Sequence, residues 1–491
     1  VPAWERVDGS TSSGSKEIAV KYRGLWFGFI AVFVGSFAVL GYYGFEIYRV
    51  APPIPERVVT THGELLFTGE EIRDGQNVWQ SMGGQQIGSI WGHGAYVAPD
   101  WSADWLHREA VFILDHWSRA ETGQSFDEID SERQAALKAR LAEELRTNTY
   151  NPEDRTLTLS AIRADAIAAN TSYYSRLFTD DPELSAEREA YAIPGNVLTD
   201  PERVRKLNAF FFWTSWACVT NRPGSDVTYT NNWPPEELVA NRPTSALILW
   251  TGVSVILLLA GVGLLAFYYA SHKEDGLEEA QLPERDPLLG LEPTPSMQAT
   301  LKYFWVVLGM MVVQVLLGAV TAHYGVEGTG FYGYPLADIL PYTVTRTWHV
   351  QLGILWIATS WLATGLFIAP AVSGVEPKYQ RLGVNLLFGT LLVIVVGSML
   401  GQWAGVMQKM NLQTNFWFGH QGYEYVDLGR FWQILLFVGL FLWLGLVARA
   451  IWPAFKKESG TRHLLGLFLI SSAAIALFNR AGRVWGRQRN L

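Results

Sequence analysis

Seven stretches of this chain stay apolar for about 20 residues each, the length a helix needs to cross a bilayer core of roughly 30 Å. They lie at about 24–46, 244–270, 301–322, 347–370, 383–403, 431–452 and 463–479. The expected fold is an all-α membrane protein of about seven transmembrane helices. A chain of 491 residues with 49% hydrophobic content, 21 Trp and only 17% charged residues does not suit a soluble globule. The formal net charge of −8 is unevenly spread, with much of it in 50–242 and in the acidic linker 273–286, and it leaves no nucleic-acid footprint. The single cysteine, Cys218, excludes an internal disulfide and an all-thiolate metal site. No C-x-x-C-H occurs, so no c-type haem is attached. The first apolar run is too long for a removed signal peptide and lacks its cleavage site, so it reads as a retained anchor.

Four parts follow from this pattern: a disordered tail at 1–23, an anchor helix at 24–49, a soluble domain at 50–242, and a membrane bundle at 243–491. Lys16, Lys21, Arg23, Lys378, Arg381, Lys456, Lys457 and Arg462 then fall on one side, the cytoplasm, together with the N-terminus. The domain 50–242 lies on the outer face of a bacterial inner membrane. Arg480, Arg483, Arg487 and Arg489 fall on the wrong side for this rule, so either the run 463–479 is not a crossing or the chain stops where it was not built to stop. Within the domain, Ser131 and Gln134 read as a capping box ahead of Leu137, Leu141 and Leu145. A second helix begins near Ser160. The aromatic stretch 206–241 reads as a Trp-anchored collar at the membrane surface.

His349 lies just inside the run Thr347–Pro370, which holds no Lys, Arg, Asp or Glu, and Arg346 stands at its mouth. An imidazole in hydrocarbon needs a protein partner. A neighbouring helix is the plainer choice and a haem iron the sharper one, with Arg346 placed to neutralise propionates. His323 and Glu327 are one helical turn apart beside Tyr324, Phe331 and Tyr332, which suits an apolar ring whose two hydroxyls release protons; an interfacial His–Glu bond is the plainer reading. Glu424 and Asp427, three apart and close to Arg430, suit a cation such as calcium or a simple pair with the arginine. His93 between Gly92 and Gly94 is most simply a turn. His62, His107, His116, His272, His420 and His463 carry no readable spacing.

Taken together, RTWHVQ (346–351), AHYGVEG (322–328), WFGHQGYEYVDLGRFW (417–432), GHGAYVAPDWSADWLHRE (92–109) and FFFWTSW…TYTNNWP (210–234) resemble the quinol-dependent nitric oxide reductases. These are single-chain bacterial members of the haem–copper oxidase superfamily, and the resemblance runs from about residue 25 to about 479. It implies the first half of a haem–copper-type bundle and an outer domain like a cytochrome c that has lost its haem. His349 becomes an axial ligand of the low-spin haem b, with Arg346 at its propionates, and His323 and Glu327 the quinol pair. Glu424 binds a calcium ion to which Gly94 and Tyr96 give backbone carbonyls, and Asp427 handles protons.

The family's haem b3 and non-haem iron are held by later histidine-bearing spans with no counterpart in this sequence. The resemblance therefore implies a fragment, or a partner in the form of a complementary C-terminal chain, with a homodimer also allowed. Such a chain by itself is expected not to reduce nitric oxide. Its other expected partners are membrane quinol, nitric oxide and the lipid bilayer. An oxygen-reducing quinol oxidase and a non-catalytic haem- or quinol-binding membrane protein are the alternatives.

Overall fold

A computed structural model describes residues 23–271, 289–423 and 427–457 of the chain, and these are mostly helical. The chain divides into two units, one of residues 1–53 with 455–478 and one of 54–454 with 479–491. In the first, the described residues form α1 (Arg23–Arg49), an apolar helix long enough to cross a membrane.

The second unit opens with an extramembrane domain. Its elements are β1 (Arg57–Thr60), β2 (Leu65–Thr68), α2 (Gly69–Ser81), β3 (Ser89–Ile90), β4 (His93–Gly94), α3 (Trp101–Thr122), α4 (Ser131–Arg146), β5 (Tyr150–Asn151), β6 (Thr156–Leu159), α5 (Ala161–Phe178), α6 (Ser185–Ala190) and α7 (Pro201–Val219). A small sheet of order β2-β1-β6-β5 has β1 and β6 parallel and the other pairs antiparallel. The β3–β4 hairpin turns at Trp91 and Gly92, both at positive φ, so of the Gly-His-Gly segment only Gly92 sits in the turn, while His93 and Gly94 pair back onto β3.

Helix starts in this domain use side-chain oxygens to satisfy the first free backbone N–H groups. Thr68 and Glu71 form a reciprocal capping box on α2, and Asp100 caps α3 through Ser102 and Ala103. Asp130, not Ser131, caps α4, because its carboxylate accepts the Arg133 N–H; Gln134 donates to the carbonyls of Phe126 and Ile129 instead of closing a capping box. The α5 helix begins after Ser160 as expected.

The stretch 206–241 is corrected more substantially in its helical part. Phe210, Phe211, Phe212, Trp213 and Trp216 on α7 are each at most 1% exposed and form the centre of the domain core. Trp101 stacks on Phe211, and Trp79 packs on Phe210. These aromatics are the domain's own interior rather than a collar at the membrane surface. Burying each stabilises the domain by about 2–3 kcal/mol.

The membrane part of this unit holds α8 (Ser245–Ser271), α9 (Pro295–Glu327), α10 (Tyr342–Ser373), α11 (Gln380–Val406), α12 (Leu412–Phe418, short and outside the spans) and α13 (Arg430–Lys457). With α1, six described helices are long and apolar enough to cross a membrane. The seventh expected span, 463–479, lies outside the described residues. The spans run longer than the apolar runs that announced them, because caps extend them: Thr294 accepts the Met297 N–H ahead of Pro295, and α10 starts directly after Pro341.

Helix α8 buries none of its side chains, whereas α9, α10, α11 and α13 pack together. The Tyr303 hydroxyl donates to the Val384 carbonyl, Trp443 Nε1 to Leu362, and Gln380 Nε2 to Leu446. Glycines set the closest approaches. A Cβ on Gly318 would lie 2.6 Å from His349 Cε1, so only glycine lets α9 and α10 close over the imidazole.

Candidate functional site

His349 Nδ1 lies 2.7 Å from the Gln314 carbonyl oxygen on α9. A carbonyl can only accept, so Nδ1 carries the proton and Nε2 keeps its lone pair. Gln314 Nε2 sits 3.4 Å from that second nitrogen, a long contact. A fixed Nδ1–H···O=C bond with a basic Nε2 is the arrangement that orients histidine as a metal ligand. Beside the ring opens a cleft of about 710 Å³, lined among others by Gly318, Tyr324, Glu327, Arg346 and His349 and by Glu189 of the extramembrane domain. A glycine-backed imidazole at the wall of such a cleft fits an axial ligand to haem iron.

Glu327 lines this cleft from the end of α9, and His323 is bonded to it, Nε2 to Oε2 at 2.8 Å. The same oxygen accepts the Tyr332 N–H at 2.9 Å. The Phe331 and Tyr332 rings stand 4.5 and 4.9 Å from the imidazole between centroids. Sequence spacing thus brought together a carboxylate, an imidazole and aromatic walls, and the fold adds that the carboxylate, Glu327, lines the same cleft as His349.

Arg346 turns toward the extramembrane domain and donates to Gln86 Oε1. Gln86 Nε2 in turn donates to Asp427 Oδ2 at 2.6 Å and to the Tyr423 carbonyl at 2.9 Å. Asp427 is fully buried and lies outside any helix, and α13 begins only at Arg430. A helical turn, on which a spacing of three would face both carboxylates one way, is therefore not formed at Asp427. Arg430 donates to Gln433 and lies over the Phe416 ring.

Asp427 Oδ2 also lies 3.8 Å from His420 Nε2. His420 is fully buried. It meets Thr347 Oγ1 at 2.9 Å through Nε2, and the Gln80 carbonyl and Gly422 N–H at 3.0 and 2.9 Å through Nδ1. Burial pushes its pKa down to about 4, against a smaller upward pull from the Gln80 carbonyl, so the ring is neutral at physiological pH. The sequence carried no sign of this, since Gln80 and Thr347 are remote in the chain.

Glu424 lies outside the described residues. Its chain neighbours nonetheless approach the segment carrying Gly94 and Tyr96. The Gln85 N–H donates to Gly422 and its carbonyl accepts from Ala95, each at 2.8 Å. Gly94 is buried at positive φ against Gly88, while the Tyr96 side chain is 87% exposed. Among the described residues no three His, Cys, Asp or Glu side chains converge as a metal site.

Residues 55–235 match the family model for the cytochrome c-like domain of NorB, a nitric oxide reductase polypeptide. Residues 298–483 match the one described as cytochrome c and quinol oxidase polypeptide I. No curated protein matches the chain. The first match covers the extramembrane domain, and the second starts three residues into α9 and takes in the helices that bear His349 and Glu327 and the loop that bears Asp427. With both parts of the fold accounted for, the chain belongs to the haem–copper oxidase family as a NorB-like, multi-pass membrane oxidoreductase that uses haem.

Proposed function

We propose that this protein draws electrons from a membrane quinol and feeds them to the reduction of nitric oxide to nitrous oxide and water. The observation that carries the reading is the single cleft uniting His349, Arg346 and Glu327. The match of the outer domain to a nitric oxide reductase favours nitric oxide over oxygen as the acceptor.

Low-spin haem b, when bound, supplies a one-electron carrier between quinol and acceptor. His349 would hold its iron, with Nδ1 anchored on the Gln314 carbonyl. Arg346, at the mouth of the span, neutralises propionates. The aromatic walls of Phe331 and Tyr332 receive the quinol ring, and the bonded pair His323–Glu327 takes the protons of its hydroxyls as electrons leave. Glu424, with the carbonyls of Gly94 and Tyr96, would bind calcium. Asp427 holds or passes a proton at Oδ2, next to Gln86. No residue here is assigned to haem b3 or to the non-haem iron. The outer domain faces the periplasm in this reading.

The test compares membranes carrying the protein and its variants. His349→Ala is expected to lose the low-spin haem absorption, and Glu327→Gln to keep that absorption while raising the KM for quinol. An unaltered low-spin signature in His349→Ala overturns the assignment. Quinol-driven consumption of oxygen without nitrous oxide formation moves the chain to the quinol oxidases.

A further inference from the structure

We propose that the junction of α9 and α11 at Lys302 is a binding site for an anionic phospholipid, whose phosphate is held by Lys302 and Arg381. Lys302 is the second residue of the apolar run 301–322, and Arg381 lies two residues ahead of the run 383–403. Both cations therefore stand where a spanning helix meets the headgroup layer. Among the described residues neither makes an ion pair with a carboxylate. Glu376, in the loop between α10 and α11, is turned instead to the Ser296 N–H at 3.0 Å. Arg381 is near enough for its charge to act on Lys302. Two neighbouring cations repel each other, and an anion shared between them removes that cost.

A lysine at this depth ordinarily extends its stem toward water. Lys302 is tied down instead. Its ammonium donates to Asn385 Oδ1 on α11 and lies 4.7 Å from the centroid of the Phe388 ring. The neighbouring residue fixes the crossing of the two helices. The Tyr303 hydroxyl donates to the Val384 carbonyl at 2.6 Å, and its ring meets Phe388 at 5.0 Å between centroids. Asn385 follows Arg381 by one helical turn, so guanidinium, amide and ammonium form one patch on rigid elements. The Asn385 oxygen is spent on Lys302, which leaves its N–H groups to donate to the same anion.

The surface around and beyond this patch suits acyl chains. Leu301, Trp305, Leu382 and Leu386 are each at least 60% exposed. Open space stands over Gly309, two turns along α9 from Lys302, and over Gly389, one turn along α11 from Asn385. On each helix the face that carries the polar group thus runs into a stretch without a side chain, where an acyl chain can lie. A phospholipid matches both the cations and this apolar track, whereas inorganic phosphate matches only the cations. None of His349, Arg346, His323 or Glu327 is used, so the site stands whatever the acceptor of the main reaction.

The experiment releases the intact protein from nanodiscs holding equal amounts of phosphatidylglycerol and phosphatidylcholine, and counts the retained lipids by native mass spectrometry. Two cations at about fivefold each predict a preference for phosphatidylglycerol on the order of twentyfold. Lys302→Gln and Arg381→Gln should each lower it about fivefold, while Lys302→Arg, which keeps the charge, should preserve it. Lys456→Gln, on α13, should leave it unchanged, and added inorganic phosphate should not displace the lipid. Equal loss in Lys456→Gln would mean a diffuse attraction and overturns the site, as does displacement by phosphate alone. Equal retention of the two lipids by the unsubstituted protein also overturns it, and leaves the acidic linker 273–286 as the source of counter-charge.

Discussion

His349 and His420 are both held by backbone carbonyls, and His420 touches Thr347, two residues from His349, yet the two rings are built for opposite purposes. His420 is enclosed on every side, with both nitrogens engaged by Thr347, Gln80 and Gly422. His349 has one nitrogen fixed by Gln314 and opens onto a cleft. An imidazole whose hydrogen-bonding capacity is used up contributes stability, whereas one with an oriented lone pair beside a cavity can bind something. The difference lies in what α9 and the loop 407–429 bring to each ring, not in the histidines.

The largest break in this comparison comes from filling the one gap that lets His349 stand where it does. Gly318→Val places a Cβ 2.6 Å from Cε1 and 2.8 Å from Nδ1 of the ring, contacts that real Cβ atoms do not make. The imidazole must swing away and lose its bond to Gln314. The expected outcome is loss of the low-spin haem absorption in a protein destabilised by only about 1–3 kcal/mol, the usual cost of overpacking. Retention of that absorption with the fold intact would show that the Gln314 bond does not orient the ligand.

His420→Ala should do the reverse, keeping the haem signature and losing stability. It opens a cavity and strips one partner from Thr347 and one from either Gln80 or Gly422, since a neutral ring's Nδ1 can donate to the first or accept from the second. The loss costs about 3 kcal/mol. A pH profile sharpens the point. The folded pKa of about 4 lies below the ordinary value of about 6.5, so between them the unfolded chain binds more protons than the folded one. The contribution is whole above pH ~6.5 and is lost as pH falls toward and through about 4, on the order of 3 kcal/mol in all. Melting midpoints measured across that window should fall for the unsubstituted protein and stay flatter in His420→Ala. Parallel profiles for the two proteins would place the acid sensitivity elsewhere.

Why one histidine could be read in the sequence and the other could not follows from how each is assembled. The signal for His349 is local, a charge-free run of spanning length with a polar ring inside it and an arginine at its mouth. His323 and Glu327 are local too, one helical turn apart. His420 gains its meaning from Gln80, 340 positions away, and from Thr347, 73 away. Periodicity cannot report such contacts. The membrane spans were legible because hydrocarbon demands long apolar helices, although their ends were not, since caps such as Thr294 and Pro341 lie outside the apolar runs. The α7 aromatics were misread because a domain core and a membrane collar draw on the same residues, and only tertiary packing separates them. The α4 cap moved by one residue because Asp130 and Ser131 are both good caps in sequence. The small sheet rests on strands of two to four residues, too short for alternation to announce.

The smallest test sits between the two rings. Thr347 belongs to the same helix as His349, yet its hydroxyl meets His420 Nε2 at 2.9 Å. Thr347→Val keeps the branched shape and removes that oxygen. If the two rings are energetically separate, as their surroundings imply, the cost is about 1 kcal/mol, the worth of one hydrogen bond, and it appears only in the melting midpoint. The His349 ring keeps its bond to Gln314 and its glycine-backed wall, so the low-spin absorption should not shift. A double-mutant cycle with Gly318→Val makes this quantitative. Additive effects on stability, within a few tenths of a kcal/mol, mean that α10 carries the two histidine environments side by side without coupling them. A large interaction energy, or a spectral shift in Thr347→Val alone, would mean that the His420 cluster helps to aim the ligand, and that a saturated imidazole two residues away is part of the binding site.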